Sequence, residues 1–407
     1  EEYARYIKQQ EERQRQIEER RKDRNNKNIK NITLPKKITK ISPSAFYMCE
    51  ALEKVDLSKC TNLHTIDRNA FAHCTNLEEV ILSDNCKIEE MANNLFMDCK
   101  KLKKIDIPKT VTTIKNYAFS GCSSLETINF LEGSVLETIE DFAIYNSGLK
   151  NIVLPHSVRS VGEMVFAQNY NLETITLSAN LRTIGERAFI DCTSLKQISI
   201  PSMVEQIEME TFKNCTSLTD VTFSSGISQI KSFAFEGCTS LKSIELPKKL
   251  RGLTYGAFKN CSSLENIVFY DEFRFIEGEV FAGCNSLKEV VIPKLVKSLG
   301  SKAFKDCTNL TILDISNWDT RKVNYMTGMF RNCSSLTSLD VSRWDTRKVT
   351  TMNRMFSYSP NLSTLDLSNW DVTNVTNMFG MLQNCRSLTS LDLSNWNTSN
   401  VTNMVSM

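Results

Sequence analysis

Apolar positions along this chain follow one short pattern that keeps returning. A Leu, two residues, an Ile or Val, one residue and a further large apolar residue make an alternating step, as in Leu241, Ile244 and Leu246. Fifteen such Leu run from Leu52 to Leu388, spaced by 25, 25, 23 and 24 residues, then seven times by 23 and three times by 26. Most are preceded by an Ala-Phe pair, such as Ala45-Phe46, Ala188-Phe189 or Ala303-Phe304. Further upstream stands a second apolar step, such as Val111 and Ile114, Leu181 and Ile184, or Val296 and Leu299. The alternation predicts a short strand that sends its apolar residues inward and its intervening residues to solvent. A unit of about 23 residues cannot enclose a core alone, so neighbouring units must cover its apolar side. The chain is therefore expected to be a solenoid with a stacked parallel sheet, a curved rod roughly 70 Å long at ~4.8 Å per coil.

Two finer periods lie on top of the first. Pro155, Pro201, Pro247 and Pro293 recur 46 residues apart, one at the end of every second strand. The mid-region therefore reads as coil pairs, because Pro cannot continue a strand ladder. The residue after the strand Leu alternates in charge through Lys103, Glu126, Lys150, Glu173 and Lys196, and again through Lys242, Glu265 and Lys288. Opposite charges one strand apart attract. The stripe neutralises itself, which argues against a phosphate-binding face.

Ala188-Phe189, Cys192, Leu195, Ile198, Ile200 and Pro201 spell A-F-x-x-C-x-x-L-x-x-I-x-I-P, which resembles the BspA-like leucine-rich repeats. From Leu310 the unit lengthens to 26 residues, with Leu336, Leu339, Asp340, Trp344, Asp345, Val349, Met352, Met355 and Phe356 in the pattern. This is similar to the BspA-type surface-protein repeat. The resemblance implies a right-handed leucine-rich-repeat solenoid of α/β class, with residues 31–309 in repeats of 23–25 and 310–407 in repeats of 26, truncated at Met407. It also implies a non-enzymatic recognition protein, on the cell surface or outside the cell, acting in adhesion or interaction with a protein partner. One coil departs from the pattern: Ala143 to Leu149 is a residue short and has Ile144 for Phe. Asn169 and Ser359 stand where the repeat has Cys.

Composition narrows the chemistry. Lys and Arg number 49 against 47 Asp and Glu, so the net charge of +2 offers no global field to nucleic acid. No apolar run approaches the ~18 residues of a membrane span. Three His, at His64, His73 and His156, leave little for metal or acid–base chemistry. No nucleotide-binding Gly loop or nucleophile motif occurs, so neither catalytic residues nor cofactors are expected. Twelve of the fourteen Cys, from Cys49 to Cys385, share one repeat position. Free Cys behaves as a small buried hydrophobe, which favours a reduced, buried column over a disulfide framework. Cys60 and Cys86 lie off the column and are the pair to test for a bridge. The sequons at Asn214, Asn260 and Asn332 arise from the repeat itself.

Three other columns invite function. Outward strand positions Ile81, Val153, Val268 and Val291 form an apolar scatter suited to a protein partner. Trp318, Trp344, Trp370 and Trp396 recur every 26 residues. A consensus position favours packing, whereas an exposed ladder would anchor a partner or stack on sugars. Met326, Met329 and Phe330 have helical spacing and are expected in the core. Asp314, Asp340, Asp366 and Asp392 stack like charges ~4.8 Å apart. Asp319, Asp345 and Asp371 follow five residues on. Ser, Thr and backbone N–H donors of the turn are the first compensation to expect, and a shared Ca²⁺ is the sharper alternative.

Residues 1–30 hold ten basic and seven acidic residues and no Pro or Gly, which predicts a charged helix or spacer. Its Arg20, Arg21, Lys22, Arg24, Lys27 and Lys30 are a weak polyanion site given the interleaved Glu. Recognition of a protein partner through the stacked strand face is the leading expectation. A rigid spacer or self-assembling surface component, docking through uncapped ends, is the second, and glycan binding by the Trp ladder the third.

Overall fold

The computed structural model describes residues 28–315 and 318–407, so the expected N-terminal helix over 1–30 falls almost wholly outside the described residues. Each coil contributes a longer strand at the L-x-x-I-x-L step and a two-residue strand at the second step. Ser243–Glu245, Asn266–Val268, Glu289–Val291 and Ile312–Asp314 are successive members of the first ladder, all parallel. Thr113–Ile114, Thr138–Ile139, Ser160–Val161 and Thr183–Ile184 belong to the second. In-register pairs such as Ile198↔Val221 and Ile244↔Ile267 place like residues over like, so one core runs the length of the solenoid. Leu241, Ile244 and Leu246 are all buried, as the alternation requires.

The longer ladder is interrupted beyond Ile81, Phe130 and Phe223, where successive strands no longer pair. After Phe130 and Phe223 the next coil carries Pro155 or Pro247 at the strand end, where an N–H would otherwise be available to a neighbour. Beyond Asp314 regular strands give way to isolated parallel bridges, among them Ser338↔Thr364, Tyr325↔Thr351 and Thr351↔Asn377.

No helix occurs among the described residues, so the α component implied by the resemblance is replaced by turns. The reason is local. The residue before each Ala-Phe pair and the residue four further on are left-handed, as at Ser44 and Met48 (φ 57° and 58°) or Arg187 and Asp191 (φ 55° and 61°). Left-handed backbone interrupts an α-helix and costs an L-residue ~1–2 kcal/mol. The return is visible in the hydrogen bonds. Ala45, Tyr47 and Cys49 N–H close local turns, while Ser44, Phe46 and Met48 N–H donate to Arg68, Ala70 and Ala72 carbonyls of the next coil at 2.8–3.0 Å. Met326, Met329 and Phe330 are fully buried, but in these turns rather than on a helix.

The Phe of each Ala-Phe pair stacks on its successor. Phe166, Phe189, Phe212, Phe235 and Phe258 lie 5.3–5.4 Å apart, centroid to centroid, within 16° of parallel. A second such run joins Phe46, Phe71, Phe96 and Phe119, and Ile144 separates the two.

Candidate interaction surface

The Cys column is interior and reduced. All fourteen thiols are free, Cys60 and Cys86 included, so the bridge suggested between those two is absent. From Cys74 onward each column thiol donates to the Phe carbonyl of the coil before it, for example Cys192 to Phe166 at 3.0 Å and Cys215 to Phe189 at 3.2 Å. Burial pushes the Cys192, Cys215 and Cys238 thiols well above their ordinary range, which keeps the proton on sulfur. Ser359 Oγ donates to the matching Phe330 carbonyl at 3.2 Å. Asn169 Nδ2 reaches the Ile144 carbonyl at 2.8 Å, while its Oδ1 accepts from the Ser147 N–H at 3.1 Å and from the Ser147 hydroxyl. The longer Asn side chain thus bridges the coil that is one residue short.

The Trp ladder is interior too. Trp318, Trp344 and Trp370 are 5%, 4% and 2% exposed, and Trp396 is partly buried against the core. Trp344 stacks on Trp370 at 5.8 Å, and Trp370 Nε1 donates to the Val341 carbonyl at 3.1 Å. This corrects the surface role considered for Trp318, Trp344 and Trp370, whose faces are occupied by one another and by Phe330 and Phe356. Glycan stacking on the ladder goes with it.

The Asp columns are satisfied locally. Asp340, Asp366 and Asp392 each accept from the hydroxyl of the Ser two residues on at 2.7 Å and from its N–H at 3.0–3.1 Å. These bonds lower the carboxyl pKa of Asp366 although Asp340 and Asp392 push it up. Asp319 and Asp345 accept from Arg321 and Arg347 through Nε and Nη2. Asp371 takes the Thr373 N–H at 3.0 Å. Among the described residues no group of three or more His, Cys, Asp or Glu is placed to share an ion. The turn donors expected as the simpler compensation are the ones present.

What remains outward is the sheet face. Its charge stripe pairs coil to coil, with Lys150 on Glu126 at 3.2 Å, Lys196 on Glu173 at 2.5 Å and Lys288 on Glu265 at 2.7 Å. Beside the stripe, Val153, Val268 and Val291 are 67%, 65% and 52% exposed, while Ile81 is half-buried. The register sets Val268 and Val291 at one position on successive coils, and Ile312, 54% exposed, lies diagonal to Val291. These three form one apolar patch, whereas Val153 stands apart beside a shallow groove of about 610 Å³ lined by Phe130, Leu154 and His156. Ile312 was open to the same reading from its place two residues before Asp314.

A belt of alternating charges runs along the turns. Arg187, Glu210, Lys213, Glu236, Lys259, Glu279 and Lys302 are linked in sequence at 2.6–3.9 Å. Burial alone raises the Glu279 carboxyl, but hydrogen bonds from Lys259, Lys302 and Tyr255 outweigh it and hold the pKa at about 2. Apart from Glu210 and Lys213, three residues apart, each link is about one coil long, so the belt shows only when successive repeats are aligned.

Stacked short parallel strands, a Leu-Ile core and one coil per repeat define a leucine-rich-repeat solenoid. The chain belongs to the BspA-type leucine-rich repeat family, whose model matches residues 23–92, 89–219 and 205–337. Residues 299–407 also match a family described as a Mycoplasma protein of unknown function. A leucine-rich repeat protein from Bacteroides ovatus is 26% identical over 72% of this chain and 92% of its own, with a TM-score of 0.51. The pneumococcal vaccine antigen PcpA is 19% identical over 94% of this chain and 90% of its own, with a TM-score of 0.50, and shows the fold alone. No curated protein sequence matches significantly. Proteins of this family and fold are typically non-enzymatic. No helix among the described residues is long and apolar enough to cross a membrane.

Proposed function

We propose that the chain is a cell-surface recognition protein that binds a protein partner through the outward face of its longer strand ladder. The observation that carries this is the Val268, Val291 and Ile312 patch, apolar side chains held in open solvent on a sheet whose core is already complete. An exposed apolar patch rimmed by polar residues marks an interaction site. The rim is the paired Lys and Glu stripe, which suits a polar margin around desolvated anchors. Membership of the BspA-type repeat family supports a surface location.

The test is a partner screen on the full-length chain, using surface proteins of the cells it meets, followed by titration of whatever is captured. Val268→Asp with Val291→Asp is expected to weaken that complex at least tenfold, about 1.4 kcal/mol or more. Asn151→Asp, exposed elsewhere on the ladder, should leave it unchanged. Equal affinity for all three proteins removes the patch from the interface.

A further inference from the structure

Along most of the molecule, charges are answered one coil away, but one edge departs from that rule. The turn that leads into the second strand is closed by Val296 N–H on Pro293 O, Val323 on Thr320 and Val349 on Thr346, at 2.9–3.0 Å. These matching bonds set Lys294, Arg321 and Arg347 at one turn position on three successive coils. Lys322 and Lys348 follow at the next position, and Lys297 stands just before the second strand of its coil, Ser298–Leu299. All six are exposed. Asp319 and Asp345 are the facing carboxylates, and both are committed to Arg321 and Arg347 through two nitrogens each. Lys294, Lys297, Lys322 and Lys348 have no carboxylate within ion-pair distance among the described residues. Like charges stacked a coil apart repel, and a local rule broken without internal compensation is the mark of a site.

The ridge has edges. One coil before it, the same turn carries Asp271 and Glu272; one coil after, Asp371, Thr373 and Asn374. Asp340 and Asp366 run along its flank on the sheet face. The cationic strip is therefore narrow and about 10 Å long from first coil to third. A broad polyanion such as a duplex would meet the flanking carboxylates, whereas a single thin chain laid along the axis would not. Two further side chains suit a sugar. Leu295, 41% exposed, lies between Lys294 and Lys297, and Tyr325, 60% exposed, follows Lys322 by three residues. Apolar and aromatic faces pack on the C–H faces of sugar rings while the ammonium groups meet the anions.

We propose that this ridge binds a linear sulfated polysaccharide, laid along the solenoid axis with its sulfates on Lys294, Lys297, Lys322 and Lys348. Arg321 and Arg347, each held to its own carboxylate, occupy Asp319 and Asp345 and leave the lysines to the ligand. The site is distinct from the apolar sheet face, so the two stand or fall separately.

Heparin is the probe. The full chain should be retained on immobilised heparin at physiological ionic strength and released by added salt, as screened charge contacts are. Lys322→Glu with Lys348→Glu should weaken heparin binding at least about tenfold. Lys36→Glu with Lys37→Glu makes the same change in net charge at the equivalent turn after Pro35, outside the ridge, and should leave it unchanged. Both pairs are exposed, and matched melting temperatures confirm that each variant is folded. Val268→Asp with Val291→Asp should bind heparin as the parent does. No retention at physiological salt overturns the proposal, as does equal weakening by the two lysine pairs. Single-stranded DNA competing as well as heparin, charge for charge, would mean that the ridge takes any polyanion and not a sugar polymer.

Discussion

At the scale of single residues, the repeated Cys answers a backbone problem. The turn after each Ala-Phe pair leaves the Phe carbonyl buried beside the next coil, and a small side chain with one proton to donate fills that space. The thiol does so in most coils, Ser359 and Asn169 in two others. Cys215→Ser should therefore keep the bond to Phe189 and be the milder change, whereas Cys215→Ala leaves that carbonyl to the Cys192 N–H alone and should cost about 0.5–1.5 kcal/mol more. Urea midpoints of the two variants check this, and the account fails if Ala is the milder change. The column itself was legible in the sequence, because one residue type returning at one repeat position must share one environment. Its acceptor was not, because a carbonyl has no letter of its own.

At the scale of the coil, the strands were read correctly and the connecting turns were not. Alternation at period two has one structural meaning over Leu241 to Leu246. Spacing of three and four, as at Met326, Met329 and Phe330, is met equally by a helix and by consecutive turns with left-handed residues such as Gly328 and Asn332. The turns hold the Phe stack in register, and that has a measurable consequence. Phe212→Ala opens a hole between Phe189 and Phe235 and should cost about 3–5 kcal/mol. Because each coil touches only its neighbours, amide exchange should quicken around Phe189 and Phe235 and stay unchanged around Phe71. A uniform rise along the chain would mean that the solenoid opens as one unit.

At the scale of the whole molecule, long-range order is electrostatic as well as apolar. The belt from Arg187 to Lys302 crosses several coils, and Glu279 sits between Lys259 and Lys302 at 2.8 and 2.9 Å. Its folded pKa of about 2 lies below the ordinary 4.5, so its stabilising contribution is full above pH 4.5 and is lost as pH falls towards 2. That contribution is on the order of 2–3 kcal/mol. Glu279→Gln should lower stability at pH 7 and flatten the acid limb of the denaturation profile, and an unchanged acid limb would place the sensitivity elsewhere. Surface features divided in the same way as the folds of the chain. Val268 and Val291 were readable because strand period fixes which way they face. For Trp318 to Trp396 recurrence at one position favoured packing, but they lie in turns where no period assigns a side, so an exposed ladder stayed open as the alternative. The cationic ridge appears only when Lys294 is aligned with Arg321 across the change from 23 to 26 residues per unit.

The thiol column also bears on how such a molecule would age outside a cell. Every sulfur except that of the half-buried Cys385 is shielded by the coils stacked against it, so oxidants have little to attack while the stack is shut. A transient breach between two coils would bare sulfurs from adjacent layers together. Were they to couple before the layers closed, the breach would be locked open. Endurance in an oxidising medium is then governed by how rarely the layers part, and every stacked ring and paired charge that slows their parting lengthens the protein's working life.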